Sequence, residues 1–381
     1  MARLTRAELQ ERNRATVLAA ARDEFTERGF RGAKIDNIAA RADLTRGAVY
    51  SNFPGKRALY FAVLAEDAAV VPPPPHPRPG RTVGEALGAF TRAWLARLPL
   101  ATDHERSPGR LGMDLIPEVA ADERTRLPYA QLTALDAILL GLALERTGRQ
   151  TAPLPGAVAA TGASPDGTSG AGAGRLVGVA EAVLTTLHGA SQLAAAAPGF
   201  VEPFHIISAC EQLADLDIDD VWRPPHLPYI PPARPVDEPW SPVPAIDAFH
   251  GEPARLSGDG VVAILGLHRL SAVEEAIRAA PSGAAVTAVL VSSSPRELIP
   301  LARLVIADLR TCLFHAFEPS TWPRLQIVYD QTGALAAAAG TPAVSDATET
   351  AVRIKGSRII ARAEGFGACH AAATAGGAAS P

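Results

Sequence analysis

Two proline-dense segments limit what this chain of 381 residues can fold into. The first is PPPPHPRP at 72–79, and the second covers residues 223–245. Proline fixes φ and has no backbone N–H, so neither a helix nor a central strand continues through such runs. We therefore expect three folded units, at residues 1–70, 82–222 and 246–375, joined by linkers at 71–81 and 223–245 and followed by a disordered tail at 376–381.

Residues 16–60 predict three short helices, a tight turn and the start of a fourth helix. Val17, Ala21 and Phe25 recur at a spacing of four, which is typical of an amphipathic helix, and Gly29 follows as a helix-ending residue. A second short helix comes next, and Thr45 stands where the N-cap of a third helix belongs. Two short helices joined by such a turn form a helix-turn-helix.

The third helix has the residue types of a segment that enters the major groove of DNA. Small residues at its start allow a close approach, and the polar side chains beside them can donate to bases or phosphates. Lysines at the starts of the second and fourth helices can neutralise phosphates. The predicted DNA contacts are Lys34, Thr45, Arg46, Gly47, Ala48, Tyr50, Asn52 and Lys56. The alternative is a small three-helix bundle whose charged residues only face solvent.

Charge is distributed unevenly along the chain. Residues 1–60 contain 12 Lys+Arg and 7 Asp+Glu, a net charge of +5, whereas the whole chain has a formal net charge of −4. The remaining residues therefore carry a net charge of −9. A basic end on an acidic body presents one surface to a polyanion, which favours double-stranded DNA as the partner of this end.

The N-terminal segment resembles the DNA-binding domain of TetR/AcrR-family transcriptional regulators. The matching residues are spread over its four helices and comprise Ala21, Phe25, Gly29, Ile38, Ala39, Tyr50, Phe53, Lys56 and Leu59. Two positions depart from the family pattern, because Asp43 replaces a turn glycine and Asn52 replaces a frequent histidine. The resemblance implies a regulator, most often a repressor, that binds a palindromic operator as a homodimer and releases it when an effector binds.

Residues 82–222 are predicted to form an all-helical domain. Apolar periodicity predicts helices at 83–98, 111–121, 127–147, 175–197 and 203–216, with the flexible insert GASPDGTSGAGAG before the fourth. In length and layout this region resembles the regulatory region of TetR-family proteins. The resemblance implies that the region holds the dimer interface and an effector pocket.

Two sets of residues are candidates for these two roles. The apolar faces of the last two helices predict a four-helix dimer interface containing Leu176, Val183, Leu187, Ile206, Cys210 and Leu213. The preceding helices predict a pocket for a small hydrophobic effector, lined by Phe90, Trp94, Met113, Tyr129, Leu132 and His188, with His188 or Asp114 as a polar anchor. Ordinary core packing within one chain is the alternative for both sets.

Residues 246–375 alternate between predicted strands and helices. The strands are expected at 261–267, 285–291, 325–329, 350–354 and 358–363, and the helices at 272–280, 295–309, 333–339 and 369–373. This order resembles a thioredoxin-like or peroxiredoxin-like fold, with YDQTGALAAAAGTP and AVRIKGSRIIAR as the matching segments. The expected architecture is therefore multi-domain, with all-α TetR-like DNA-binding and regulatory domains followed by a small α/β thioredoxin-like domain.

The redox members of that fold need a cysteine at the end of the first strand, where a helix N-terminus lowers its pKa. This chain has Gly266-Leu267-His268-Arg269 there, and it contains no CxxC motif. We therefore predict that the protein is not an enzyme and has no catalytic residues. The alternative is a thioredoxin-like oxidoreductase or a protein-interaction module tethered to DNA.

The cysteines and the N-terminus bear on the cellular compartment. Cys210, Cys312 and Cys369 are widely separated and odd in number, which argues against a disulfide framework and against a zinc site. The N-terminus MARLTRAELQERNRAT lacks the apolar core of a secretory signal, and we expect no apolar run of membrane-spanning length. The prediction is a cytoplasmic protein with no metal, no cofactor and no membrane partner.

Overall fold

A computed structural model describes residues 5–70, 78–98, 108–151, 174–218, 220–224 and 230–376. Most of the first proline-dense linker, the glycine-rich insert up to residue 173 and the tail after residue 376 lie outside the described residues. The predictions of a linker, a flexible insert and a disordered tail at these positions therefore stay predictions.

The N-terminal region contains four helices, which are α1 (Arg6–Gly32), α2 (Ile35–Arg41), α3 (Arg46–Asn52) and α4 (Lys56–Val70). Thr5 begins α1 with a capping box, because its hydroxyl accepts from the Glu8 N–H while the Glu8 carboxylate accepts from the Thr5 N–H. Gly29 has a φ of +65° and bends the chain there, as its predicted helix-ending role requires. Phe25, Phe30 and Tyr60 pack together beneath these helices with ring centroids 5.1–6.0 Å apart.

Helix α4 is apolar on all its sides. Eight consecutive residues, Ala58 to Ala65, are buried. A helix with this pattern has to be covered on more than one face. One face of α4 packs on α1, and a second face packs on a helix from the C-terminal part of the chain.

The middle region contains α5 (Val83–Leu95), α6 (Leu115–Ala120), α7 (Glu123–Thr151), α8 (Val177–Ala196) and α9 (Pro203–Gln212). These five helices correspond to the five predicted ones, with differences in extent. α5 ends at Leu95 instead of residue 98, and the predicted helix at 111–121 is split into a 3₁₀ segment and α6. The predicted helix at 127–147 is longer in the structure, since α7 runs from Glu123 to Thr151 with Pro128 inside it. The predicted helix at 203–216 is shorter, since α9 gives way to a 3₁₀ turn at Leu213–Asp215.

Helix α7 corrects one expectation from the sequence. It is long and apolar enough to cross a membrane by length and composition, although no such run was expected. Most of the apolar part of α7 is buried inside the protein, against α8 and the C-terminal region. Its apolar character is therefore accounted for by burial in the protein core.

The C-terminal region combines eight strands with four helices. The strands are β1 (Arg234–Pro239), β2 (Ile246–Asp247), β3 (Glu252–Pro253), β4 (Gly260–Gly266), β5 (Ala285–Val291), β6 (Gln326–Tyr329), β7 (Glu349–Lys355) and β8 (Arg358–Glu364). The helices are α10 (Val273–Ala279), α11 (Pro295–Ala316), α12 (Ala334–Ala338) and α13 (Ala368–Thr374). The predicted alternation of strands and helices is therefore present in the structure.

Six of the strands form one mixed sheet in the order β1-β8-β7-β4-β5-β6. β4, β5 and β6 run parallel, whereas β7 is antiparallel to β4, and β8 is antiparallel to both β7 and β1. The central strand β4 is buried along its whole length, as a strand covered by helices should be.

Strand β1 lies inside the proline-dense segment at 223–245. It carries Pro235 and Pro239 and pairs with β8 at the edge of the sheet. Prolines suit an edge strand, because they have no N–H group and an edge strand does not need one to bond a strand on its outer side. The segment thus contributes a strand to the sheet in addition to connecting two regions.

Helix α11 joins all three regions of the chain. It packs on α4 of the N-terminal region and on α5 and α7 of the middle region. Arg57 at the start of α4 lies 2.7 Å from Glu297 in the first turn of α11 and 2.6 Å from Asp122 before α7. One contiguous set of buried apolar residues runs through the three regions. The N-terminal head (α1–α4, residues 6–70), the middle helical region and the sheet therefore share a core.

Candidate nucleic-acid interface

The turn between α2 and α3 has the geometry of a helix-turn-helix. Asp43 adopts a left-handed conformation with a φ of +52°, which aspartate tolerates better than most residues. The Leu44 N–H donates to the Ala39 carbonyl at 3.0 Å, and the Thr45 hydroxyl accepts from the Ala48 N–H at 3.2 Å. The predicted cap at Thr45 is confirmed, and the turn is retained with aspartate in place of glycine.

Glu24 holds α2 against α1, a role that the sequence patterns did not indicate. Its carboxylate is fully buried and accepts from the Asn37 amide at 2.8 Å. Arg41 and Arg28 lie 3.1 and 3.3 Å from it, so the charge of the carboxylate is paired. The available signal was a lone acidic residue on the apolar face of α1, next to Phe25. Because it contacts α2 directly, Glu24 helps to orient the helix-turn-helix.

The start of α3 is open to solvent, as a groove-binding helix requires. Thr45, Arg46 and Gly47 are exposed, and the Tyr50 side chain is 41% exposed. Arg46 lies 3.4 Å from Asp36 and 5.5 Å from the centre of the Tyr50 ring. This ion pair is on the surface, where such pairs contribute little stability, so the Arg46 guanidinium is available to another anion.

Two of the nominated contacts already have partners inside the head. The Lys56 ammonium donates to the carbonyls of Phe30 and Ala33 at 2.8 and 3.1 Å, and thus closes the C-terminal end of α1. The Asn52 amide donates to the Ala48 carbonyl at 2.9 Å within α3. Lys34, in contrast, is exposed at the start of α2. Lys56 and Asn52 therefore make structural bonds within this region, and their contacts with DNA stay predictions.

The nominated effector-pocket residues do not form a single group. Trp94, Tyr129 and His188 lie together, with ring centroids 5.0 and 6.3 Å from His188, and Trp94 donates to the Ser191 hydroxyl at 3.0 Å. Burial lowers the pKa of His188, which keeps the imidazole neutral near pH 7. Phe90 and Leu132 are fully buried core residues, and the Phe90 ring lies 6.2 Å from that of Trp94 between centroids.

Met113 and Asp114 lie outside that group, in the 3₁₀ segment at Pro108–Asp114. The Asp114 carboxylate accepts from the Phe30 N–H at 2.7 Å, so it links the middle region to α1. Tyr60 of α4 donates to the Leu111 carbonyl in the same segment. The predicted pocket anchor Asp114 is therefore engaged at the junction with the N-terminal head.

The nominated dimer residues need a correction. Val183, Leu187 and Cys210 are fully buried within one chain, so they have no surface left for a partner subunit. Leu176, Ile206 and Leu213 are partly buried against the same core. The apolar side chains exposed on and beside α8 and α9 are Leu193, Phe200 and Phe204, at 45%, 71% and 78% exposure. The intrachain alternative thus holds for the first three residues, and the free apolar surface is formed by others.

The thiols of the C-terminal region are buried. Cys369 is fully buried in α13, and burial raises its pKa far above the ordinary range of a thiol. The turn after β4 carries Arg269, whose guanidinium pairs with the buried Glu349 carboxylate. The described residues at the end of the central strand thus include this ion pair and no cysteine.

Comparison with known proteins identifies the N-terminal head. Residues 17–63 match the family of bacterial regulatory proteins called the tetR family. Over 65 residues the chain is 46% identical to the HTH-type transcriptional regulator SrpR of Pseudomonas putida and 46% identical to the uncharacterized HTH-type transcriptional regulator TtgW, also of Pseudomonas putida. The matched segment is 17% of this chain and spans 30% and 48% of the lengths of those two proteins. Residues 17–63 are thus a tetR-family helix-turn-helix domain.

A TetR transcriptional regulator from Rhodococcus sp. RHA1 is similar in structure over 54% of this chain and 94% of its own length. The TM-score is 0.31 and the sequence identity is 19%. A similarity this low does not show how the regions of this chain pack together.

Proposed function

We propose that the protein is a DNA-binding transcriptional regulator whose contact with the operator is made by α3. The observation that carries this proposal is the exposed, small and basic start of α3 within a tetR-family domain. Backbone at Gly47 can approach the floor of the major groove, while Arg46 and Tyr50 reach bases or phosphates. The net charge of +5 on residues 1–60 also indicates that this end of the chain binds DNA.

The test is binding to DNA upstream of the protein's own gene, measured by fluorescence anisotropy at several salt concentrations. We expect tighter binding to this DNA than to random duplex, with an affinity that falls as salt rises. Arg46→Ala and Tyr50→Ala should each weaken binding at least tenfold, which corresponds to about 1.4 kcal/mol.

The matched control is Arg358→Ala. This arginine is 47% exposed on β8 and pairs with Asp237, far from the head in sequence, so its loss should leave DNA affinity unchanged. If the wild-type protein binds both DNAs equally at all salt concentrations, the proposal fails.

We further propose that the regulator is a homodimeric repressor that reads a palindromic operator. A helix-turn-helix of this type needs two heads held about one DNA turn apart, or a multiple of it. The exposed apolar residues Leu193, Phe200 and Phe204 on and beside α8 and α9 supply a surface on which a second copy can pack. Sedimentation of the full chain distinguishes a dimer from a monomer.

We infer that the C-terminal region is a thioredoxin-like domain that has lost redox chemistry. Its sheet places the parallel pair β4 and β5 beside the antiparallel hairpin of β7 and β8, which supports this fold. The burial of Cys369 and the ion pair of Arg269 at the end of β4 disfavour the alternative of a DNA-tethered oxidoreductase. Cys369→Ser should leave operator affinity unchanged, and a large change would contradict this inference. As a regulator of genes, the protein would act in the cytoplasm.

A further inference from the structure

A cleft of about 430 Å³ lies beside the edge strand β6, and none of its lining residues belongs to the helix-turn-helix. Clefts that hold small molecules have volumes of roughly 300–1,000 Å³. One wall is the chain around β2, the floor is the end of β6, and α11 and α12 close the other sides. The cleft is therefore large enough for a small organic ligand.

Apolar side chains in the cleft wall are open to solvent. Val243 is 44% exposed and Ile246 is 59% exposed, although both are large and apolar. Val328 and Leu335 lie buried beneath them. Covering such side chains with an apolar ligand removes their surface from water, which favours binding.

One cation lines the same cleft. Arg303 of α11 is exposed there, and its guanidinium lies 5.4 Å from the centre of the Tyr329 ring. Among the residues that the structure describes, no carboxylate pairs with Arg303. A guanidinium placed on an aromatic ring is oriented for a carboxylate or another oxyanion.

The acidic residue in the cleft, Asp330, forms no ion pair with Arg303. Asp330 is buried, and its carboxylate accepts from the N–H groups of Ala334 and Ala336 at 3.0 and 2.9 Å, and from the Thr332 hydroxyl at 3.3 Å. Its oxygens are thus used to hold the start of α12. The cleft therefore offers an apolar wall and a single unpaired cation.

We propose that this cleft binds a small organic anion with an apolar body, and that such a ligand is an effector of the regulator. The second part rests on the proposed function. Arg303 belongs to the helix that also pairs with Arg57 of the head through Glu297, so a ligand held by Arg303 contacts the element on which α4 rests. If α11 has two positions, a ligand that binds one of them more tightly shifts the population towards that position. Because α4 packs on α11, the head then shifts with it.

The first test uses the fluorescent anion 8-anilinonaphthalene-1-sulfonate with the full-length protein. We expect saturable binding that weakens at least tenfold in Arg303→Gln. The neutral dye N-phenyl-1-naphthylamine should bind the wild type and Arg303→Gln equally, because it has no charge to pair. Ile246→Glu places a carboxylate in the exposed wall and should also weaken binding of the anionic dye, so the test has a second variant.

The matched control is Arg310→Gln. Arg310 is on the same helix and also lies over an aromatic ring, 4.9 Å from the centre of Phe314, but it does not line the cleft. Anionic dye binding should be unchanged in this variant. Equal binding to the wild type and Arg303→Gln, or an equal loss in Arg303→Gln and Arg310→Gln, would overturn the proposed site.

The second test measures operator affinity with and without saturating anionic dye. The dye should change the affinity of the wild type at least threefold and leave that of Arg303→Gln unchanged. Dye binding at the cleft with no change in operator affinity would overturn the effector role. Failure of the unliganded protein to bind DNA would instead show that the proposed function is wrong, since dye binding is measured without DNA.

Discussion

At the scale of single residues, the half-buried Glu275 couples stability to pH. Burial, together with the nearby Glu349 carboxylate, raises the pKa of Glu275 to about 7. The folded protein therefore keeps a proton on Glu275 that the unfolded chain loses above about pH 4.5. Stability contributed by this group is highest below that pH, falls as the pH rises to about 7 and then stays constant.

Glu275→Gln should remove this pH dependence, because the amide stays neutral. We expect the variant to be more stable than the wild type at pH 8 by about 1 kcal/mol, after allowance for partial solvent screening, and the difference to shrink towards pH 4.5. Urea unfolding across this pH range measures it. A difference that is the same at every pH would contradict the assignment.

At the scale of helices, the exposed apolar surface at α8 and α9 predicts how the proposed dimer is broken. Phe200→Glu with Phe204→Glu puts two charges where a partner would have to desolvate them, so the protein should sediment as a monomer. Operator affinity should fall with it, since one head reads only a half-site. Phe366→Glu is the control, because that phenylalanine is 66% exposed in the C-terminal region. A double variant that remains dimeric would place the interface elsewhere.

Local signals are predicted well from the sequence. The structure has the predicted N-cap at Thr45, and it has a kink at Gly29, although α1 itself extends from Arg6 to Gly32. Periodicity also predicts that α8 and α9 have apolar faces. It does not say which residues of these faces meet the same chain, and Val183 and Leu187 are covered by it. The distinction depends on packing between segments that are distant in sequence.

At the scale of the whole molecule, the ion pair between Arg57 and Glu297 ties the head to the C-terminal region. Both side chains are about one-fifth exposed, and they are 240 residues apart in sequence. A double-mutant cycle with Arg57→Ala and Glu297→Ala should give a coupling free energy of about 1 kcal/mol in urea unfolding. The more exposed pair of Arg92 and Glu211 is the control and should give a smaller coupling. Equal coupling in the two pairs would contradict this role.

The junction between the head and α11 was not predicted from the sequence. The division at the proline-dense segments predicted three separate units, because proline composition reports on local backbone and says nothing about which surfaces later meet. The one available signal was the uninterrupted apolar run from Ala58 to Ala65. Its side chains point to all sides of α4 and require cover beyond the head itself. The Arg303 cleft was likewise unpredictable, because its walls come from four separate segments.

The packing of α4 on α11 also bears on the order in which the chain is synthesised. The DNA-reading head leaves the ribosome first, but the helix that covers the second face of α4 is made more than 220 residues later. Until then the nascent head exposes an apolar surface that favours association with chaperones or with other chains. A chain cut short before residue 295 therefore keeps its complete DNA-reading motif but lacks the support for α4 on which its stability depends.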